Sequence, residues 1–270
     1  MAVMAGTDAG EAAARGPLVV AIGASNLSRG LAGLVTTVRR RRIGSDILVA
    51  AGHGRSFGVT SRVAWRRLPS ILGCGLWRAI DRLNPAGDRP VAAIVTDIGN
   101  DLLYGFSVEQ TADWVRGCIA RLAERAASVA VTGLPLESVA RAGPLRYRFL
   151  KTVYVPGCPL TLKQLQSAAR RLDDAVRGIA AESSATVIEQ PGEWYGLDSI
   201  HVRRRRLDEL WEQAATAWGM AGSAAPARRS LGDWSRIGTR AAEIRSLAGG
   251  VRFTRQPVVH WPDGTTLSLY

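Results

Sequence analysis

The feature that most constrains this chain is a repeated alternation. Short apolar runs, each closed by small or polar residues, are separated by longer stretches of helical period. PLVVAIGAS (Pro17–Ser25), DILVAAGHG (Asp46–Gly54), PVAAIVTDIGND (Pro90–Asp101), SVAVTGLPL (Ser128–Leu136) and ATVIEQ (Ala185–Gln190) are the five runs. Their unbroken Val, Ile, Leu and Ala content predicts strands buried on both faces, as parallel sheets require. Helical patterning is read at Arg29–Arg39, Val108–Ala127, Leu160–Ser183 and Arg203–Trp218. A further, mostly helical stretch is read over Arg62–Leu83, broken at Pro69 and around Gly73–Gly75. The expected architecture is an α/β/α sandwich on a five-stranded parallel sheet. Ligands of such sheets bind outside the carboxyl ends of the strands, so the residues closing each run are the ones to inspect.

The expected organisation is a leader at 1–16, a core domain at 17–219 and a C-terminal extension at 220–270. The leader is small and polar, without the basic and apolar regions of a signal peptide. Gly219–Pro226 reads as a linker. A basic helical stretch is expected over Trp234–Leu247, then a β-hairpin turning at Pro262-Asp263-Gly264. No apolar run approaches the ~20 residues that span a bilayer, and a cytoplasmic location is expected.

Cys74, Cys118 and Cys158 are odd in number and widely spaced, which argues for free thiols rather than disulfides or a zinc set. With His53, His201 and His260 the only histidines, no metal site is expected, and nothing calls for a cofactor. The net charge is +12, which raises the question of a polyanionic partner. Lys151 and Lys163 are the only lysines among 35 basic residues. Such an arginine bias, with abundant Ala and Gly, is also what a GC-rich coding sequence yields. Aromatic residues are not interleaved with the arginines, so nucleic acid is disfavoured as a partner. Arg39–Arg42 and Arg203–Arg206 read as solvated helix ends. Homo-oligomerisation is left open.

Four run ends carry chemistry. IGASN places Ser25 on the turn into a helix, GHGRS offers backbone N–H groups at Gly54, GND supplies Asn100, and DSIH places Asp198 and His201 in one loop. A serine hydroxyl becomes a nucleophile when a base takes its proton. His201 is suited to that, with Asp198 holding the useful tautomer. Attack on an acyl carbon creates an oxyanion, for which the Ser25 N–H, the Gly54 N–H and the Asn100 amide are the candidate donors. Gly52 remains a rival to Gly54. Arg29, Arg55 and His53 stand beside these blocks as candidate binding groups for the substrate, the arginines for an anionic one.

These blocks resemble those of the SGNH hydrolase superfamily, the GDSL-like esterases and lipases. The resemblance covers roughly Pro17–Gly219 and is most specific at Asp198-x-x-His201. It implies a flavodoxin-like sandwich, an esterase, thioesterase or deacetylase activity, a Ser25-His201-Asp198 triad and an oxyanion hole of Ser25, Gly54 and Asn100. The sequence departs from the pattern at Ala24, where the family has Asp, and at Ile98, with glycine displaced to Gly99. Two rival classes are a protein holding an anion or nucleotide on GASNLSRG at a helix N-terminus, and a basic nucleic-acid-binding protein on an inactive hydrolase core.

Overall fold

The structure is a computed structural model and describes residues 16–63, 66–196, 198–220, 241, 243–246 and 250–270. The first half of the chain runs β1 (Leu18–Ile22), α1 (Ser25–Arg41), β2 (Asp46–Ala50), β3 (Ser61–Val63), β4 (Arg66–Leu68), α2 (Leu76–Leu83), β5 (Val91–Val95), α3 (Asn100–Leu103) and α4 (Val108–Ala123). Then follow β6 (Ser128–Thr132), α5 (Leu136–Ala140), α6 (Pro144–Val153), α7 (Leu162–Glu182), β7 (Thr186–Ile188) and α8 (Arg204–Ala217). The chain closes with β8 (Glu243–Ser246), β9 (Val251–Phe253), β10 (Val259–His260) and β11 (Thr266–Leu269).

The five strands read from the sequence form one parallel block in the order β2-β1-β5-β6-β7. Two more strands extend it. β11 adds in parallel beside β2, and β10 pairs antiparallel with β11 at the edge. Because side chains alternate along a strand, β1 feeds two cores. Leu18, Val20 and Ile22 pack with residues of α2, α4 and α7, while Val19 and Ala21 pack with α1 and α8. The result is three layers. On the second face α1 and α8 approach closely. A Cβ at Gly30 would stand 2.7 Å from Trp211 Cζ2, so only glycine lets this helix lie against the indole.

α4 and α7 begin where reciprocal capping boxes satisfy their first N–H groups: Ser107 with Gln110, and Thr161 with Gln164. Elsewhere tertiary contacts override the local pattern. The stretch over Arg62–Leu83 is helical only from Leu76; its first part forms β3 and β4 of a second, four-stranded sheet, β3-β4-β8-β9. β4 takes this form by pairing with β8, a partner far along the chain that local periodicity does not reveal. Within the stretch read as helical at Trp234–Leu247, residues 243–246 are strand β8; most of the remainder, like most of the leader and of the linker, lies outside the described residues. α5 and α6 arise between the fourth sheet strand and α7, where the sequence reading placed no element. Among the described residues no helix is long and apolar enough to cross a membrane.

Candidate active site

Four strand ends each contribute one part of a single cavity. Ser25 opens α1 directly after β1, Gly54 follows β2, Asn100 opens α3 after β5, and His201 follows β7. All four line one open cavity of about 620 Å³, together with His53, Arg62 and Tyr154.

His201 Nδ1 lies 2.7 Å from Asp198 Oδ2. The other carboxylate oxygen accepts the backbone N–H groups of His201 at 3.0 Å and Ile200 at 3.3 Å. Asp198 thus closes a turn on its own loop and fixes the ring in the same act. Burial pushes its carboxyl up, but the hydrogen bonds from the ring and the two N–H groups outweigh that, and it is held below the ordinary carboxylate value. The turn carries Ser199 at φ 62, a left-handed conformation uncommon for a side-chain-bearing residue. Ser138 Oγ donates to the Ser199 carbonyl at 3.1 Å and ties the turn to α5. Tyr154 packs on the imidazole with ring centroids 5.0 Å apart.

Ser25 is 7% exposed and shares the cavity with the imidazole; no hydrogen bond joins the two side chains among the described residues. The first N–H groups of a helix have no intrahelical acceptor. Asp97 Oδ2 takes those of Ala24 at 2.7 Å and Leu27 at 3.1 Å. That leaves the Ser25 N–H uncommitted among the described residues. Gly54 sits on the cavity wall at φ 66, where glycine adopts the turn without strain and leaves its backbone open to approach.

Two polar clamps hold these parts, and the sequence reading singled out neither. Asp97, itself at φ 62, accepts Asn26 Nδ2 at 2.7 Å through Oδ1. Asn26 Nδ2 also donates to the Ile200 carbonyl at 3.1 Å, and Asn26 Oδ1 accepts the Val202 N–H at 2.9 Å. The residue after the candidate nucleophile therefore grips the chain on both sides of His201. The second clamp is Asp101, fully buried, whose Oδ2 accepts the Phe57 N–H at 2.9 Å and joins the Asn100 turn to the Gly54 loop. Asn26 and Asp101 each neighbour a motif residue at a strand end, where a buried polar group must find a partner. That adjacency was the available signal.

The candidate binding residues separate. His53 is exposed on the cavity. Arg55 is 0% exposed and does not line it. Its Nε donates to the Pro69 carbonyl at 3.1 Å, and its Nη1 to the carbonyls of Ala51 and Tyr270. Nε and Nη1 are spent on buried backbone and the side chain stands off the cavity, so the expectation of a substrate contact is corrected. Arg29 is half-buried on α1 and also off the cavity. Arg62, on β3, is the arginine that lines it. Gly52 lines a neighbouring cavity, and a Cβ there would stand 2.4 Å from Leu68 Cδ1. Packing accounts for that glycine.

No family model matches the chain, and no curated protein matches it. Among solved structures it is similar to TesA, at 14% identity and a TM-score of 0.44, over 74% of this chain and 97% of that one. It is similar to AlinE4, an SGNH-hydrolase family esterase, at 19% identity and a TM-score of 0.40, over 75% and 95%. It is also similar to Axe2, an acetylxylan esterase from Geobacillus stearothermophilus, at 9% identity and a TM-score of 0.45, over 77% and 96%.

The Asp101 clamp yields a pH prediction. Burial raises its carboxyl above the ordinary value, against the hydrogen bonds from Ser56 and Phe57. A carboxyl raised in the fold costs stability once pH exceeds its folded value, and that cost fades as pH falls toward the unfolded value. Asp101→Asn keeps an acceptor for the Phe57 N–H and removes the charge. Its thermal midpoint is expected to equal or exceed that of the parent at pH 8, with the gap narrowing at pH 4.5. A midpoint well below the parent's at pH 8 contradicts this account of the residue.

Proposed function

We propose that this protein is a serine hydrolase cleaving an ester or related acyl bond. The observation that carries the reading is the 2.7 Å contact of His201 Nδ1 with Asp198 on a ring that lines the same cavity as Ser25. Asp198 occupies Nδ1, so Nε2 is the nitrogen left to act as base.

In this reading Ser25 Oγ attacks the acyl carbon as His201 Nε2 takes its proton. The charge developing on the carbonyl oxygen is met by the N–H groups of Ser25 and Gly54 and the Asn100 amide. His201 then returns the proton to the leaving oxygen, and the acyl group stays on Ser25. Water, activated by the same imidazole, releases the acid and restores the hydroxyl. Asp198 remains ionised throughout, consistent with its lowered value. Arg62 is the cationic side chain placed to meet an anionic group on the substrate.

The anion-loop alternative fares worse for a physical reason. At the N-terminus of α1, where a phosphate would sit, the Asp97 carboxylate already takes the N–H groups of Ala24 and Leu27, so too few donors remain to wrap a multiply charged phosphate. The test is a panel of short p-nitrophenyl esters and acetylated sugars with the purified chain. Saturable hydrolysis of at least one supports the reading, and none across the panel with a folded protein counts against it.

A further inference from the structure

α6 presents an apolar stripe that the described residues leave uncovered. Leu145, Phe149 and Val153 recur every four residues on one side of the helix, at 83%, 49% and 55% exposure. Leu150, on the other side, is 3% exposed and anchors the helix to the core. Tyr154, 45% exposed, leads from the stripe to the cavity, where it packs on His201. At 3.6 residues per turn, Arg146 and Arg148 flank the stripe on either side, and both are exposed. Neither they nor Lys151 has an acidic partner among the described residues. From Ser138 to Leu172 the sequence contains no Asp or Glu at all.

We infer that α6 is an interfacial helix that docks this protein on an anionic lipid surface, with the cavity mouth held at the headgroup level. The charge decides between occupants. A second copy of this chain, at net charge +12, would set like charge against like. Nucleic acid offers phosphates but no place for exposed Leu and Phe. An anionic bilayer surface supplies both, negative headgroups for Arg146 and Arg148 and acyl boundary for the stripe. Docking is independent of the hydrolytic reading, because it needs no turnover.

The test is co-sedimentation of the full chain with phosphatidylglycerol or phosphatidylcholine vesicles at low salt. Each basic side chain near an anionic surface strengthens binding about fivefold, so phosphatidylglycerol is expected to be preferred by at least about tenfold. Raising salt should erode the preference. Leu145→Ser/Phe149→Ser and Arg146→Glu/Arg148→Glu are each expected to weaken binding about tenfold or more, with thermal melts verifying that both variants fold. Ser25→Ala should bind like the parent, which separates a failure of docking from a failure of catalysis. Three results overturn the inference: no sedimentation with phosphatidylglycerol, binding undiminished in Leu145→Ser/Phe149→Ser, or self-association through the stripe without vesicle binding.

Discussion

Replacing Ser25 by Ala is expected to lower kcat on a p-nitrophenyl ester by about 10⁴-fold or more. The thermal midpoint should move by no more than about 3 °C, because the hydroxyl makes no hydrogen bond that the fold depends on among the described residues. His201→Ala should cost as much, and the double variant no more than either single one. Groups that act in one proton transfer fail together, and their losses do not add. A purely structural serine would behave in the opposite way, with activity intact and any change confined to stability. Initial rates for the parent, the two single variants and the double variant decide between these outcomes.

Asp97→Ala is expected to destabilise the fold by about 2–4 kcal/mol and to lower kcat roughly 10- to 100-fold. The carboxylate accepts three hydrogen bonds, from the N–H groups of Ala24 and Leu27 and from Asn26 Nδ2. Losing it strands two N–H groups at the start of α1 and frees Asn26, which otherwise holds the Ile200 carbonyl and the Val202 N–H. Both the nucleophile and the base would then lose a fixed position. Asp97→Asn is an informative intermediate. Its single oxygen can serve the helix N–H groups, but its amide then faces the Asn26 amide, donor against donor. Turning Asn26 over to relieve that would set its amide against the Val202 N–H. Asp97→Asn should therefore hold most of the stability and still lose activity, with kcat affected more than KM. Melts and kinetics on the two variants check this. Equal loss of both quantities, or no loss in either, speaks against a positioning role.

The split between what was legible and what was not follows the range of the interactions. The five core strands and the long helices announce themselves through continuous apolar runs and 3.6-residue patterning, both local properties. The capping boxes at Ser107 and Thr161 lie in four-residue windows. The meeting of Ser25, Gly54, Asn100 and His201 at one cavity was legible because a parallel sheet sends its strand ends to one edge. β4 and β8 were not, since their pairing joins segments far apart in the chain. α6 escaped because Leu145, Phe149 and Val153 face outward while Leu150 faces in, against the pattern a packed helix would show. Arg55 was misread for a related reason. Beside Gly54 it resembled a binding group, yet its donors turn inward to carbonyls as far off as Tyr270. Asp97 and Asn26 are single polar residues whose meaning depends on each other. Asp97 and Ser199 both adopt φ 62, a left-handed conformation at the loops that hold Ser25 and His201.

Treating the native chain with a fluorophosphonate and mapping the modified peptide addresses the chemistry with least intervening inference. The account predicts one adduct, on the Ser25 hydroxyl, formed rapidly in the parent and lost in His201→Ala. An adduct on another residue, or an unmodified Ser25 in a folded protein, would contradict it.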